Sequence, residues 1–207
     1  MPIGLENVYK SRLDTSKWDY SQLIDPYGFR WEYGITPFSD WQIIVGSWAL
    51  YFTTIFGLKT YMSSRTAFSL KYITALHNFI LSAWSAGMFI YAVIDFIDRW
   101  QTRGLPECFC TSDSSSISGR LFYTTYIYYL SKFYELFDTI ILVLKKKQLI
   151  FLHWYHHAIV ITMVWSWLEE ANPYSTIGMI ANTFIHIFMY YYYFSASLGR
   201  SIWFKVN

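Results

Sequence analysis

Three histidines stand close together in an apolar stretch of the sequence, as His153, His156 and His157 within FLHWYHHA. At about 100° per residue, a helix would place all three within an arc of roughly 100°. Titratable side chains are costly in hydrocarbon and usually face a cavity inside a helix bundle. The spacing therefore predicts a histidine-lined cavity, and structural histidines or an interfacial cluster at the helix start are the alternatives.

A second polar set precedes the histidines, within KFYELFDT at residues 132–139. On a helix, Lys132, Glu135, Asp138 and Thr139 would share a face about 120° wide. Lys132 and Glu135 are spaced to pair, and Thr139 is spaced to bond back to the carbonyl of Glu135. Such a buried charged set either locks helices together or tunes a site, and the two roles are compatible.

A third set falls on one helical face near the end of the chain, and its members are Asn182, His186, Met189, Tyr190 and Tyr193. Asn182 lies one turn before His186, where its amide can orient the imidazole. The tyrosines are typical of a cavity wall or of an aromatic belt at a membrane interface. Earlier in the chain, His77 and Asn78 are either part of the same site or a hydrogen-bonded structural pair.

These faces can meet in one polar cavity, with Lys145, Lys146 and Lys147 at its mouth. The lysines there would attract a phosphorylated substrate, or they would only anchor a helix on the cytosolic side. Histidines in such a cavity fit two chemistries. One is metal binding, as in membrane oxygenases with HxxHH boxes or in a zinc site. The other is acyl transfer through an acyl-imidazole, which a water-free cavity protects from hydrolysis.

The composition indicates that membrane-spanning helices hold these residues. The chain is 54% hydrophobic and 22% aromatic, and its 14% of charged residues is well below the 25% or so of soluble proteins. The net charge of +2 gives no argument for nucleic-acid binding. Five apolar runs are long enough to cross about 30 Å of hydrocarbon, and they are residues 41–58, 72–94, 121–144, 149–168 and 174–198. The predicted fold class is an all-α polytopic membrane bundle.

Basic residues alternate between successive connections and predict the orientation. The connection between the first two spans contains Lys59, Arg65 and Lys71, and the connection between the third and fourth spans contains Lys145, Lys146 and Lys147. Neither connection contains an acidic residue. This pattern places the basic connections in the cytosol and the amino terminus on the other side of the membrane. Residues 1–40 then form a non-cytosolic, interfacial segment, and residues 41–207 form the membrane domain.

Tryptophans and cysteines on the non-cytosolic side allow two further expectations. Trp18, Trp31 and Trp41 suit a segment that lies near the lipid surface. Cys108 and Cys110 are two residues apart in a polar loop on the oxidising side, and so tight a spacing rarely reaches disulfide geometry. We therefore expect the two cysteines not to bridge each other.

The three motifs together resemble the ELO family of very-long-chain fatty acid elongases, over about residues 40–207. The family pattern KxxExxDT matches Lys132, Glu135, Asp138 and Thr139, and HxxHH matches the histidine triplet. The pattern NxxxHxxMYxYY matches Asn182, His186, Met189, Tyr190, Tyr192 and Tyr193. Leu76, His77 and Asn78, followed by Leu81 and Ser82, are similar to an earlier stretch of the family.

The resemblance implies an enzyme of the endoplasmic reticulum membrane, with its amino terminus in the lumen, that condenses a long-chain acyl-CoA with malonyl-CoA. The products would be a 3-oxoacyl-CoA, carbon dioxide and CoA, and no cofactor is implied. His156 would accept the acyl group, His186 would assist at the enolate or thioester, and Lys132, Glu135, Asp138 and Asn182 would hold and polarise the cavity. The implied partners are the two CoA substrates, the bilayer, and either a full-length elongase or the ketoacyl reductase of the elongation cycle.

The family fold has seven helices around an acyl tunnel, and the resemblance implies two spans beyond the fifth. The chain is therefore expected to be incomplete at its carboxyl terminus. Such a chain would be a condensing enzyme, or a non-catalytic partner of a full-length elongase. A metal-dependent membrane oxygenase or desaturase-like protein remains the other enzyme hypothesis.

Overall fold

The structure is a computed structural model that describes residues 13–108, 119–172 and 175–200. Within those ranges the long elements are all helices, which confirms the predicted all-α class. They are α1 (Trp41–Met62), α2 (Lys71–Arg103), α3 (Arg120–Leu144), α4 (Phe151–Glu169) and α5 (Ser175–Ser197). Short 3-10 turns lie at Thr15–Lys17, Tyr20–Leu23 and Leu105–Cys108.

Each helix covers one predicted span, and the largest difference is at the end of α2. This helix runs on from residue 94 to Arg103, through Asp95, Asp98 and Arg99. Those residues are too polar for hydrocarbon but compatible with a helix, so the helix continues after the hydrophobic stretch ends. By length and composition alone, α1 and α2 can each cross a membrane. The predicted polar faces lie on α3, α4 and α5.

Helix α3 is the centre of the bundle, because it contacts each of the other four helices. Its tyrosines Tyr126, Tyr128 and Tyr129 are almost fully buried, and Ile161 and Val164 of α4 pack in the same core. Helices α2 and α5 lie side by side. Lipid tails are as apolar as these side chains, so close packing and hydrogen bonds between helices, rather than removal from water, hold such a bundle together.

The carboxyl end of α3 is closed by a main-chain hydrogen bond from Lys147 to Leu142, 2.9 Å long. Such a closure needs a left-handed residue, usually glycine, and Lys146 takes that place with φ 52°. The Nζ of Lys146 also donates to the carbonyls of Ser63 (3.2 Å) and Arg65 (2.6 Å). The turn thereby ties the connection after α1 to the end of α3.

Residues 13–40, which we call the N-terminal cap, close the end of the bundle opposite these lysines. Trp31 is only 5% exposed, its ring contacts the rings of Tyr126 and Tyr129, and its indole N–H donates to Oε1 of Glu169 at 2.9 Å. The prediction that Trp31 lies at the lipid surface is therefore wrong. Its polar N–H finds a carboxylate inside the bundle, whereas Trp41 keeps 38% of its surface exposed.

The cap is held mainly through its own carbonyl groups. Those of Pro37, Phe38 and Ser39 accept hydrogen bonds from Tyr126, Tyr129 and Trp165, at 3.0, 2.9 and 2.6 Å. Buried carbonyls need such partners, since leaving one unpaired costs about 1–3 kcal/mol. Cys108 is buried at the end of its 3-10 turn. Cys110 lies outside the described residues, so the expectation for the cysteine pair stays a prediction.

Candidate active site

A cavity of about 850 Å³ lies at the lysine end of the bundle, between α2, α3, α4 and α5. All five histidines of the chain line it. The expected site residues in its wall are His77, Asn78, Asp138, Lys145, Lys147, His153, His156, His157, His186, Met189, Tyr190 and Tyr193. The polar faces predicted on three separate helices thus meet at one place.

Asp138 connects four helices at the floor of this cavity. Its Oδ1 lies 2.7 Å from Nε2 of His77 on α2, and its Oδ2 accepts the hydroxyl of Tyr190 on α5 at 2.6 Å. Nε2 of His157 on α4 is 3.8 Å from the same Oδ2. An ionised carboxylate only accepts hydrogen bonds, so the contact assigns a proton to Nε2 of His77. One side chain thereby fixes the positions of three others.

Lys132 and Glu135 form the predicted pair, in a buried layer behind the cavity. Their Nζ and Oε1 atoms are 2.7 Å apart, and each side chain is only 3% exposed. The Nζ of Lys132 also lies 3.2 Å from Oδ1 of Asn182 and 4.1 Å from the centre of the Tyr128 ring. The hydroxyl of Tyr128 donates to the same Oδ1 at 2.8 Å. These contacts join α3 to α5.

This layer orients His186 through Asn182. Because Oδ1 of Asn182 accepts from two donors, its Nδ2 is left to donate to Nε2 of His186, at 3.3 Å. The Nε2 atom is then the acceptor, and the imidazole proton lies on Nδ1, 3.7 Å from Oε1 of Glu135. The buried layer therefore sets the tautomer of a histidine that faces the cavity.

Thr139 is fully buried and differs from its sequence-based expectation. Its hydroxyl bonds to the hydroxyl of Tyr51 at 2.7 Å and lies 3.1 Å from Nε2 of His153. The predicted bond back to the carbonyl of Glu135 is thus replaced by two side-chain partners on α1 and α4. A buried hydroxyl with both donor and acceptor partners is fully satisfied, which explains the difference.

Two residues of this network, Tyr51 and Tyr128, were not predicted from the sequence. Tyr51 brings α1 to the site, but nothing in the otherwise uncharged first span distinguishes it from a packing residue. Tyr128 had a usable signal, because it lies one turn before Lys132 on the same face of α3. Helical spacing could have extended the polar face by that one position.

His156 differs from the other histidines of the triplet. Its side chain is exposed to the cavity, whereas His157 is 8% exposed and packs its ring 4.6 Å from that of His153. Across the described ranges no hydrogen bond holds the His156 ring. A neutral imidazole with an available lone pair can act as a nucleophile. Among the described residues His157 also has no hydrogen bond to its ring, but that ring is buried beside Asp138, so His156 is the more accessible nucleophile.

The lysines at the mouth divide into two groups. Lys145 and Lys147 line the cavity, and Nζ of Lys145 is 3.5 Å from the hydroxyl of Thr74. Lys146 does not line it, because its ammonium group bonds to the carbonyls of Ser63 and Arg65. The expectation of three lysines at the mouth is corrected to two. A pair of cations at this position suits an anionic group of a substrate.

Metal ligation was the alternative drawn from the HxxHH spacing. Among the residues that the structure describes, no three His, Cys, Asp or Glu side chains are arranged to hold one metal ion. His77, His153 and His186 face Asp138, Thr139 and Asn182 instead.

Comparison with known proteins gives a consistent set of matches. The model of the ELO: GNS1/SUR4 family matches residues 36–206. A putative fatty acid elongase of Dictyostelium discoideum is 41% identical over 200 residues, which cover 97% of this chain and 67% of that protein. Fatty acid elongase sre1 of the same organism is 36% identical, over 90% and 71% of the two chains. Long chain fatty acid elongase 1 of Caenorhabditis elegans is 31% identical, over 94% and 67%.

Proposed function

The chain belongs to the GNS1/SUR4 (ELO) family of fatty acid elongases, and we propose that it catalyses the condensation step of elongation. In this reaction a long-chain acyl-CoA and malonyl-CoA give a 3-oxoacyl-CoA, carbon dioxide and CoA. The observation that carries the proposal is the position of His156, whose ring faces the same cavity as His186 and has no hydrogen bond to any residue that the structure describes. The reaction needs one group that carries the acyl chain and a second group that acts on malonyl-CoA.

His156 is the proposed acyl acceptor. Its lone pair attacks the thioester carbonyl of the acyl-CoA, a carbon–nitrogen bond forms, and the carbon–sulfur bond breaks. CoA leaves as a thiolate that takes up a proton. Imidazole is a competent nucleophile for acyl transfer, and the acyl-imidazole is reactive enough to pass the chain on. It must be kept from water, and the apolar residues Ile141, Leu142 and Leu152 in the cavity wall support this requirement.

The second step forms the new carbon–carbon bond. Malonyl-CoA loses carbon dioxide, and the electron pair left behind forms an enolate that attacks the acyl carbon on His156. The carbon–nitrogen bond breaks, the leaving imidazolide takes up one proton to restore the neutral imidazole, and the 3-oxoacyl-CoA leaves. His186 is the proposed group beside the enolate oxygen or thioester, because its ring lines the cavity and Asn182 holds its orientation. A polar group that is preorganised beside developing negative charge is a large source of rate enhancement.

The remaining site residues are assigned to positioning and to substrate binding. Asp138 holds His77 and Tyr190, and it lies beside His157, so the floor of the cavity keeps one shape. Lys145 and Lys147 would attract the phosphates of CoA at the mouth. We place the protein in the endoplasmic reticulum membrane, with the lysine end in the cytosol, where both CoA substrates are present.

The test is incubation of membranes carrying the full chain with labelled malonyl-CoA and a series of acyl-CoAs. We expect a labelled 3-oxoacyl product, and we expect His156→Ala to abolish it. In the absence of malonyl-CoA, acyl label should accumulate on the peptide that contains His156, as measured by mass spectrometry. Product formation that is undiminished in His156→Ala would remove this residue from the mechanism.

A matched control is the adjacent Tyr155→Phe, which changes a 46% exposed ring outside the cavity. It should retain product formation and acyl labelling. If neither protein forms product, but each co-purifies with a complete elongase and changes its rate, the chain is a non-catalytic partner. Stoichiometric iron in the purified protein would instead favour the oxygenase hypothesis.

A further inference from the structure

A second cavity, of about 360 Å³, lies between α2, α3 and the N-terminal cap, away from the histidines. Its size is within the range of about 300–1,000 Å³ that is usual for ligand sites. A row of three aromatic rings separates it from the histidine cavity. Tyr134 stands in the middle of this row, 5.1 Å from the ring of His77 and 6.0 Å from that of Trp84.

The walls of the second cavity are apolar, with one cation at the end. Trp84, Met88 and Ile127 line the apolar part, and Arg120 supplies the guanidinium. One N–H of Arg120, on Nε, is bonded to Asp95, and the guanidinium also has a side-chain hydrogen bond with Tyr27. A guanidinium has five N–H donors in a planar fork, so donors remain for an anion beside these two partners.

Asp95 adds a second observation at the same place. Its side chain is 6% exposed, and its Oδ2 is buried with no hydrogen-bond partner among the described residues. The lining of the cavity includes Arg120 but not Asp95. The carboxylate therefore acts from behind the guanidinium, which it holds at the end of the cavity.

The depth of the ion pair identifies the class of ligand. Along α2, Asp95 lies about 36 Å from Lys71, at 1.5 Å per residue. The hydrocarbon layer is about 30 Å thick. With Lys71 at one membrane surface, Asp95 and Arg120 lie at the level of the lipid headgroups in the opposite leaflet. Trp84 and Met88 lie deeper, within the hydrocarbon.

We propose that this cavity binds a glycerophospholipid of the leaflet opposite the lysine end. Its phosphate pairs with Arg120, and one acyl chain lies against Trp84, Met88 and Ile127. Exposed Gly87 and Tyr91 form the side of the cavity that opens towards the bilayer. The site is independent of the condensation reaction, because its ligand is a resident lipid rather than a CoA ester.

The test uses the full chain in nanodiscs that contain phosphatidylcholine with a diazirine in one acyl chain. After irradiation and digestion, we expect adducts on the peptides that contain residues 84–91 and 120–127. The same experiment with a diazirine fatty acid and a diazirine acyl-CoA separates the possible ligands. Labelling of 84–91 by the acyl-CoA, competed by unlabelled acyl-CoA, would make the cavity an extension of the histidine site and overturn the proposal. Displacement of the phospholipid by the fatty acid would also overturn it.

Gly87→Leu is the variant designed to fill the cavity. Gly87 lines the cavity, and a Cβ added there meets no atom within 4 Å, so the leucine can be introduced without a clash. A leucine side chain and a lipid acyl chain cannot occupy the same volume, so we expect phospholipid labelling to fall by about tenfold. Gly57→Leu, an equally open glycine on α1, is the control and should leave labelling unchanged. Equal labelling of all three proteins would show that the lipid does not occupy the cavity.

A second variant tests the headgroup contact without removing charge. Arg120→Lys keeps a cation beside Asp95 but replaces the fork with a single point charge. We expect weaker phospholipid labelling and an unchanged thermal midpoint. If the diazirine phosphatidylcholine labels the variant as strongly as the parent protein, the assigned contact at Arg120 is wrong.

Discussion

The two ends of α3 both bury polar groups, but they use them differently. At the lysine end, side chains bond to side chains, as Asp138 does with His77 and Tyr190, and a cavity of about 850 Å³ remains between them. At the other end, tyrosines bond to the backbone, as Tyr126 and Tyr129 do with the N-terminal cap. There the cap packs against the helices and leaves a smaller cavity, of about 360 Å³.

This difference separates the two tasks of the bundle. A network of side chains can satisfy its own polar groups and still surround open space, which is what a reaction needs. Hydrogen bonds to the backbone bring a chain segment into contact with the helices, so less open space remains between the helices at that end. Changes at the lysine end should therefore alter chemistry or the charge balance, and changes at the cap should alter mainly how firmly the bundle is closed.

The largest expected effect tests the buried charges behind the cavity. Lys132→Met leaves Glu135 as a buried carboxylate without its cation. Breaking one side of a buried pair costs about 3–5 kcal/mol, whereas replacing both sides with apolar residues is often neutral. We expect a large loss of stability against thermal unfolding in detergent, and recovery of most of it in the double variant with Glu135→Leu. A stable single variant would show that the pair is not essential to the fold.

A moderate effect is expected at the cap. Trp31→Phe keeps the aromatic packing but removes the N–H that bonds to Glu169. Losing a hydrogen bond to a carboxylate should destabilise the protein by about 2 kcal/mol. Limited proteolysis should then cut the cap faster. The control is Trp100→Phe, which is 54% exposed on α2 and should change stability by less than about 0.5 kcal/mol. If Trp31→Phe also abolished condensation, the two ends of α3 would not have separate roles.

The smallest effect is expected at two residues with a left-handed backbone conformation, one after each of two neighbouring helices. Lys146 (φ 52°) follows α3 at the lysine end, and Ala171 (φ 49°) follows α4 at the cap end. Ala171→Gly should gain about 0.5 kcal/mol, because a left-handed residue with a Cβ costs about 1–2 kcal/mol and a buried methyl contributes about 0.8. Lys146→Gly should bring no gain, since it also loses the bonds to Ser63 and Arg65. Equal gains in thermal midpoint would mean that those two bonds contribute nothing.

Hydropathy and helical spacing predicted much of the fold and the convergence of the histidines. The spans matched the helices because an apolar run long enough to cross a bilayer has few alternatives to a helix. The continuation of α2 to Arg103 was not predicted, because hydropathy identifies the segment that can lie in the bilayer and does not show where the helix ends. Spacing correctly paired Lys132 with Glu135, since both lie on one helix.

The sequence patterns did not predict contacts between segments that are distant along the chain. Nothing in the spacing around Thr139 points to Tyr51, which comes from another helix 88 positions away. The predicted position of Trp31 was wrong for the same reason. A tryptophan beside a membrane is typical of the lipid interface, and only the folded bundle supplies the carboxylate of Glu169 that draws it inside.

The N-terminal cap also has a consequence for biosynthesis. Trp31 is separated from its partner Glu169 by 138 positions of the chain. At about 5–20 residues per second, the ribosome needs on the order of ten seconds to make the intervening segment. During that time Phe29 and Trp31 have no bundle to enter. Trp31 therefore leaves the ribosome well before its hydrogen-bond partner, and the cap reaches its final position only after α4 has been inserted.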